Sequence, residues 1–142
     1  MADYFIDPTG GNGSGASEVD TALDFPTNLV VDTRYLLKRG TTLNRSARIV
    51  PADGVTITAY GDGESPIIFA NITTSNDIIY ALNKNNWTLD SLNLQTTSTQ
   101  GRVGVYINEG SGIVIRNCHI SGTLASGIQH LGQTNGTIID SN

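Results

Sequence analysis

The sequence carries a single cysteine, Cys118, in 142 residues. One thiol excludes an internal disulfide and any zinc site built on cysteines, and it leaves oxidising and reducing compartments equally open. Charge is scarce as well. Only 15 % of residues are Asp, Glu, Lys or Arg, too few for a disordered polyampholyte or a coiled coil. The net charge is −5 and the eight Lys and Arg residues are scattered. No basic stripe exists to follow a phosphate backbone, so nucleic acid is not an expected partner. No apolar run approaches the ~18 residues a membrane span needs. The opening "MADYFIDPTGG" has neither the basic nor the apolar region of a secretory signal. Together with Met1, this favours a chain made inside its producer cell over one trimmed of a leader.

Helical periodicity is also nearly missing, with no long stretch of apolar residues at i, i+3, i+4 and i+7. Residues 17–24, "SEVDTALD", fit a short helix with Ser17 as N-cap and Val19 and Leu23 on one face, and fit an irregular loop equally well.

What the chain does have is glycine (16 residues) and short apolar runs between turn clusters. "LVV" (29–31), "RYLL" (34–37), "ARIV" (47–50), "VTITAY" (55–60), "PIIFA" (66–70), "IIYAL" (78–82), "WTLDSLNL" (87–94), "GVYI" (104–107), "IVIRNCHI" (113–120), "SGIQHL" (126–131) and "TIID" (137–140) all suit strands. Between them lie turn formers such as "ADG", "GDGES", "NKNN", "STQG" and "NEGSG". Many short strands admit a sandwich, a barrel or a stacked solenoid.

Self-similarity chooses among the three. Trp87 aligns with Ile113 and Thr137, at offsets of 26 and 24. Leu89 then falls on Ile115 and Ile139, Leu92 on Cys118, and Leu94 on Ile120. "IIYA" (78–81) falls on "GVYI" at the same offset of 26, and "GVYI" on "GIQH" (127–130) at 23. A sandwich does not require a fixed period. A solenoid does, because equivalent residues of successive coils stack at ~4.8 Å and like residues fill one narrow core. The period suits a parallel β-helix with about three faces per coil. Residues 1–35 are expected to form a cap that covers the first coil's open edge, and residues 36–142 the first coils themselves. Asn142 falls where a further inward strand would begin, so the helix is expected to continue past it.

Three stretches, "DYFIDPTGGNGSG", "LLKRGTTL" and "PADGVTITAYGDGESPII", resemble the opening of right-handed parallel β-helix proteins of the pectate-lyase-like superfamily. The matching positions are Tyr4–Asn12, Leu36–Thr41 and Gly54–Ile68, and "GIVIRNCHISG" with "SGIQH" is similar to the generic later coils. The resemblance implies an all-β, single-stranded, right-handed parallel β-helix with an N-terminal cap. It says less about activity, because members include polysaccharide lyases, glycoside hydrolases, epimerases and bacteriophage tailspikes. Secreted lyases carry a signal, whereas a tailspike is made in the host cytoplasm and leaves by lysis. The absent leader therefore points to a phage tail component.

The residues that suit chemistry are few. "GGNGSG" (10–15) lacks the following Lys and Ser/Thr of a phosphate loop and reads as a turn. Asp62 and Glu64 share one turn and cannot face each other across a substrate, as glycosidase carboxylates must. Asp90 and Asp140 lie two coils apart with Arg116 between them, an arrangement that suits a charge ladder better than a catalytic pair. The superfamily's lyases use an acidic calcium cluster and an arginine, and neither can be placed here residue by residue. His119 and His130 sit on different faces with no third ligand in register, so no metal site is expected. No cofactor is expected either. Cys118, in the Leu92 column, reads as a small buried residue, and Trp87 as a packing residue. The sequons at Asn44, Asn71, Asn86 and Asn135 arise readily in a chain rich in Asn and Thr.

Tyr80 and Tyr106 are the binding candidates. They match at the offset of 26, and their neighbours Ile79, Ala81, Val105 and Ile107 point inward. Both tyrosines should therefore face outward and stack, as a platform for sugar rings or as part of a subunit interface. The expected function is that of a phage tailspike or tail-fibre component. It would assemble as a homotrimer with other tail proteins and attach to host-surface polysaccharide, with any depolymerase activity in later coils. The rival readings are a secreted polysaccharide lyase or glycoside hydrolase without its signal, and a purely structural virion module.

Overall fold

The computed structural model describes residues 1–71, 77–97 and 103–140, and within them every regular element is a strand. The turn expected at 98–101 and the register of Asn142 lie outside the described residues. The strands stack into three parallel sheets that wind as a β-solenoid of about four turns. Sheet 1 orders β1 (Ala2–Ile6), β2 (Thr33–Lys38), β4 (Thr56–Tyr60), β7 (Thr88–Asp90), β10 (Val114–Arg116) and β13 (Ile138–Asp140). Sheet 2 orders β3 (Thr42–Arg45), β5 (Ile67–Ala70), β8 (Asn93–Thr96) and β11 (His119–Ser121). Sheet 3 contains β6 (Asp77–Leu82), β9 (Val103–Ser111) and β12 (Ser126–Asn135).

The register follows the repeat. Leu89 pairs with Ile57 on one side and Ile115 on the other, and Ile115 pairs with Ile139. On sheet 2 Ile68, Leu94 and Ile120 form one inward column, and on sheet 3 Ile79, Val105 and Ile128 form another. Ile57, Leu89, Ile115, Ile68, Leu94, Ile79 and Val105 are wholly buried, each contributing roughly 1.5–3 kcal/mol of transfer free energy. Like stacks on like because neighbouring coils present the same pleat at the same place. Trp87 and Cys118 lie in this core, as their columns require.

Corners divide what the sequence presents as continuous runs. "WTLDSLNL" breaks at Ser91 (φ 60°) and "IVIRNCHI" at Asn117 (φ 53°), each a single left-handed residue between a strand of sheet 1 and one of sheet 2. A second left-handed column precedes sheet 1: Asp32, Gly54, Asn86, Gly112 and Gly136 each stand two residues before Arg34, Thr56, Thr88, Val114 and Ile138, which pair in series. Asn, Asp and Gly recur there because the left-handed region costs other L-residues about 1–2 kcal/mol.

Three local expectations need correction. Residues 17–24 form no helix: Ser17 and Asp20 make an antiparallel bridge, and Val19 is 96 % exposed, so no apolar stripe exists to hold a helix down. The Asp20 carboxylate instead accepts the N–H and hydroxyl of Ser14. "LVV" (29–31) is not a strand, and Val30 and Val31 are exposed. "ARIV" contributes only one bridge, Ile49 to Ile79. In exchange β3, "TLNR", is a strand with Leu43 alone facing the core, too little apolar signal to stand out in sequence.

The loop after β1 covers the outer edge of that strand. Phe5 N–H donates to Gly15 O (2.8 Å), Ala22 N–H to Phe5 O (2.9 Å) and Asp7 N–H to Ala22 O (2.8 Å). Phe25 packs beside Tyr35, which also meets Tyr4, so an aromatic cluster plugs this end of the core. An edge paired in this way offers no template for another chain's strand.

Candidate functional site

Alternation along β6 and β9 turns Ile79, Ala81, Val105 and Ile107 into the core and leaves Tyr80 and Tyr106 outside, half-buried. The two pair in register, and their rings stack with centres 5.2 Å apart and planes 4° from parallel. The structure thus brings together the two residues that the repeat singles out.

It also adds residues that the repeat does not reveal. Ile49 bridges to Ile79 on the side of β6 away from β9. The preceding residue, Arg48, lays its guanidinium carbon 3.8 Å from the centre of the Tyr80 ring. Tyr80 is therefore covered on one face by a cation and on the other by Tyr106. Gln129 pairs with Tyr106 on the next coil, and Asn108 donates its side-chain N–H to the Tyr106 hydroxyl (3.3 Å). Arg48 also pairs with Asp77 at 3.6 Å. Burial raises the pKa of the Asp77 carboxyl, and the Arg48 charge and hydrogen bond oppose that shift without cancelling it. One sequence signal was present: "ARIV" places a cation immediately before an inward Ile that continues the Ile79 column.

Because the stacked ring faces look along the solenoid axis, the tyrosines show solvent their edges and hydroxyls. That geometry suits hydrogen bonding and edge contact more than face-on stacking of a sugar ring.

The carboxylates lie elsewhere. Arg116 Nε meets Asp90 Oδ2 at 2.9 Å, and Arg116 is in register with Asp140. Burial pushes the Asp90 pKa up, but hydrogen bonds from Asn117, Ser91 and Arg116 outweigh it and hold the group below the usual carboxylate range. A general acid for glycoside cleavage needs the opposite shift, so Asp90 does not suit that role; its contact with Arg116 makes one step of a charge ladder on the outside of sheet 1. Asp62 and Glu64 are exposed on the turn between β4 and β5. His119 is exposed on sheet 2 and His130 on sheet 3.

At the corner between sheets 3 and 1, Asn83, Asn85, Glu109 and Ser111 line a shallow polar groove of about 530 Å³. Asn85 Oδ1 accepts the backbone N–H of Ser111 at 3.0 Å, so this amide ties adjacent coils together. Glu109 holds a left-handed backbone conformation (φ 61°).

No family model, no curated protein and no solved structure matches this chain.

Proposed function

We propose that the chain is a component of a phage tailspike or tail fibre, a homotrimeric shaft that attaches to host-surface polysaccharide. The observation that carries this reading is the outward Arg48–Tyr80–Tyr106 stack on a flat face of a regular solenoid. Outward tyrosines fixed on paired strands offer hydroxyl and edge contacts at low entropic cost, and a solenoid repeats such contacts along its length. The opening motifs resemble those of a superfamily that includes tailspikes, which is consistent with it. No catalytic residue is assigned to the described coils.

A second reading rests on the same stack. Ring faces that are already covered, beside a guanidinium, also fit a protein interface, where Tyr and Arg concentrate binding energy. In that case the module is structural, and the tyrosines lie between subunits.

Light scattering and retention on host-surface polysaccharide separate the two. The glycan reading expects a trimeric mass and retention that is lost in the Tyr80→Ala/Tyr106→Ala double variant. The structural reading expects the variant to dissociate instead. A monomer that binds neither glycan nor virions would sink the proposal.

A further inference from the structure

The outside of sheet 2 differs from the other two faces. Its inward residues Leu43, Ile68 and Leu94 are buried, which fixes the alternate positions outward. Two outward columns result. One runs Thr42, Ile67, Asn93, His119, and the other runs Asn44, Phe69, Gln95, Ser121. None of the eight is Asp, Glu, Lys or Arg. Sheet 1 by contrast carries Asp3–Arg34, Asp7–Lys38 and Asp90–Arg116 on its outside, and sheet 3 has Arg48 and Asp77 beside its tyrosines.

We infer that the outer face of sheet 2 is a contact surface for an uncharged glycan lying along the solenoid axis. Side-chain amides and hydroxyls both donate and accept, as sugar hydroxyls do, so each can exchange water for a sugar oxygen without leaving an orphan. Phe69 and Ile67, half-buried in the middle of the two columns, supply an apolar strip for sugar C–H groups. The strip is flanked by Asn44 and Thr42 on one side and by Gln95 and Asn93 on the other. Successive coils repeat these groups every ~4.8 Å, on strands whose core side is packed, so little ordering entropy is lost on binding. Among the described outward residues of this face no Lys or Arg stands ready to meet the charge of a carboxylated or sulfated glycan.

This inference rests on the glycan-attachment reading; it adds a contact on sheet 2 to the tyrosines of sheet 3 and fixes the class as neutral. The full chain is passed over immobilised dextran, mannan and galactan, with polygalacturonate as the acidic comparison. Retention by a neutral polysaccharide is expected, changing less than about twofold between about 0.05 and 0.5 M salt, because no ion pairs form. Phe69→Ala and the nearly isosteric Gln95→Glu should each weaken it about tenfold, with unchanged far-UV circular dichroism. Gln95 points away from the core, so Gln95→Glu remains decisive if Phe69→Ala fails to fold. Neutral retention that both variants preserve, or salt-sensitive retention by polygalacturonate alone, overturns the inference and leaves glycan attachment standing. Retention by no polysaccharide of either class removes both.

Discussion

The side-chain oxygen of Asn86 lies 2.3 Å from where a Cβ on Gly112 would stand. The two residues occupy neighbouring coils of the left-handed column before sheet 1, and Asp32 meets Gly54 in the same way at 2.0 Å. An Asx side chain therefore fills the space above the next coil, and only glycine fits there. Gly112→Ala should cost at least the ~1–2 kcal/mol of left-handed strain, plus the displacement of Asn86. Gly136→Asn should be nearly neutral, because its nearest neighbour is Gly112 N at 3.9 Å and Asn tolerates the backbone. Urea unfolding midpoints of the two variants decide this, and equal losses would contradict it.

Asp7 and Asp77 should move stability with pH in opposite directions. Burial opposes ionisation of Asp7, but hydrogen bonds from Lys38 (2.8 Å) and Thr9 and the Lys38 charge prevail and lower its pKa from 3.8 to about 2. A depressed value contributes stability above the ordinary carboxylate range and loses it as pH falls toward 2. Asp7→Asn should therefore lower the melting temperature at pH 7, and the deficit should vanish near pH 2. The raised pKa of Asp77 means that its ionised form subtracts stability at neutral pH, a penalty that fades on acidification. Asp77→Asn is expected to raise the melting temperature at pH 7, with the gain shrinking toward pH 3. Parallel pH profiles for the two variants would refute the assignment.

Cys118 should be inert while the chain is folded. Burial raises its thiol pKa despite backbone hydrogen bonds, and the residue is 3 % exposed. A thiol reagent at pH 8 should react at a rate set by opening of the coil and accelerate with denaturant. A reaction complete within seconds in buffer would place Cys118 outside the core.

The tyrosine stack should also register in stability. A double-mutant cycle of Tyr80→Leu and Tyr106→Leu is expected to give about 0.5–1.5 kcal/mol of coupling, the range for aromatic pairs. Loss of a near-UV dichroism band in either single variant would accompany it. Zero coupling would mean that the rings do not meet in solution.

The columns were legible in sequence because stacking demands like residues at a fixed period, so inward Leu89–Ile115–Ile139 and outward Tyr80–Tyr106 could be aligned without a structure. The irregular first coil hid the rest. Its third face shrinks to the single bridge at Ile49, so Arg48 had no repeat partner by which to be found. β3 offers one apolar residue, and "LVV" offers three, of which the first coil leaves Val30 and Val31 outside. Ser91 and Asn117 turn the chain by their backbone angle alone, and alternation cannot report that. Neutrality on sheet 2 became visible only when registers placed residues from four coils on one surface.

Residues 11–22 finish the first edge before β2 is reached, and after the first strand of each sheet every strand pairs with the one a coil earlier in the chain. The order of stacking is thus the order of synthesis. At ~5–20 residues per second, a ribosome delivers a new coil every few seconds, and each arrives with its template already laid down. Such a solenoid can lengthen from its covered end as it is translated, exposing one growing edge at a time.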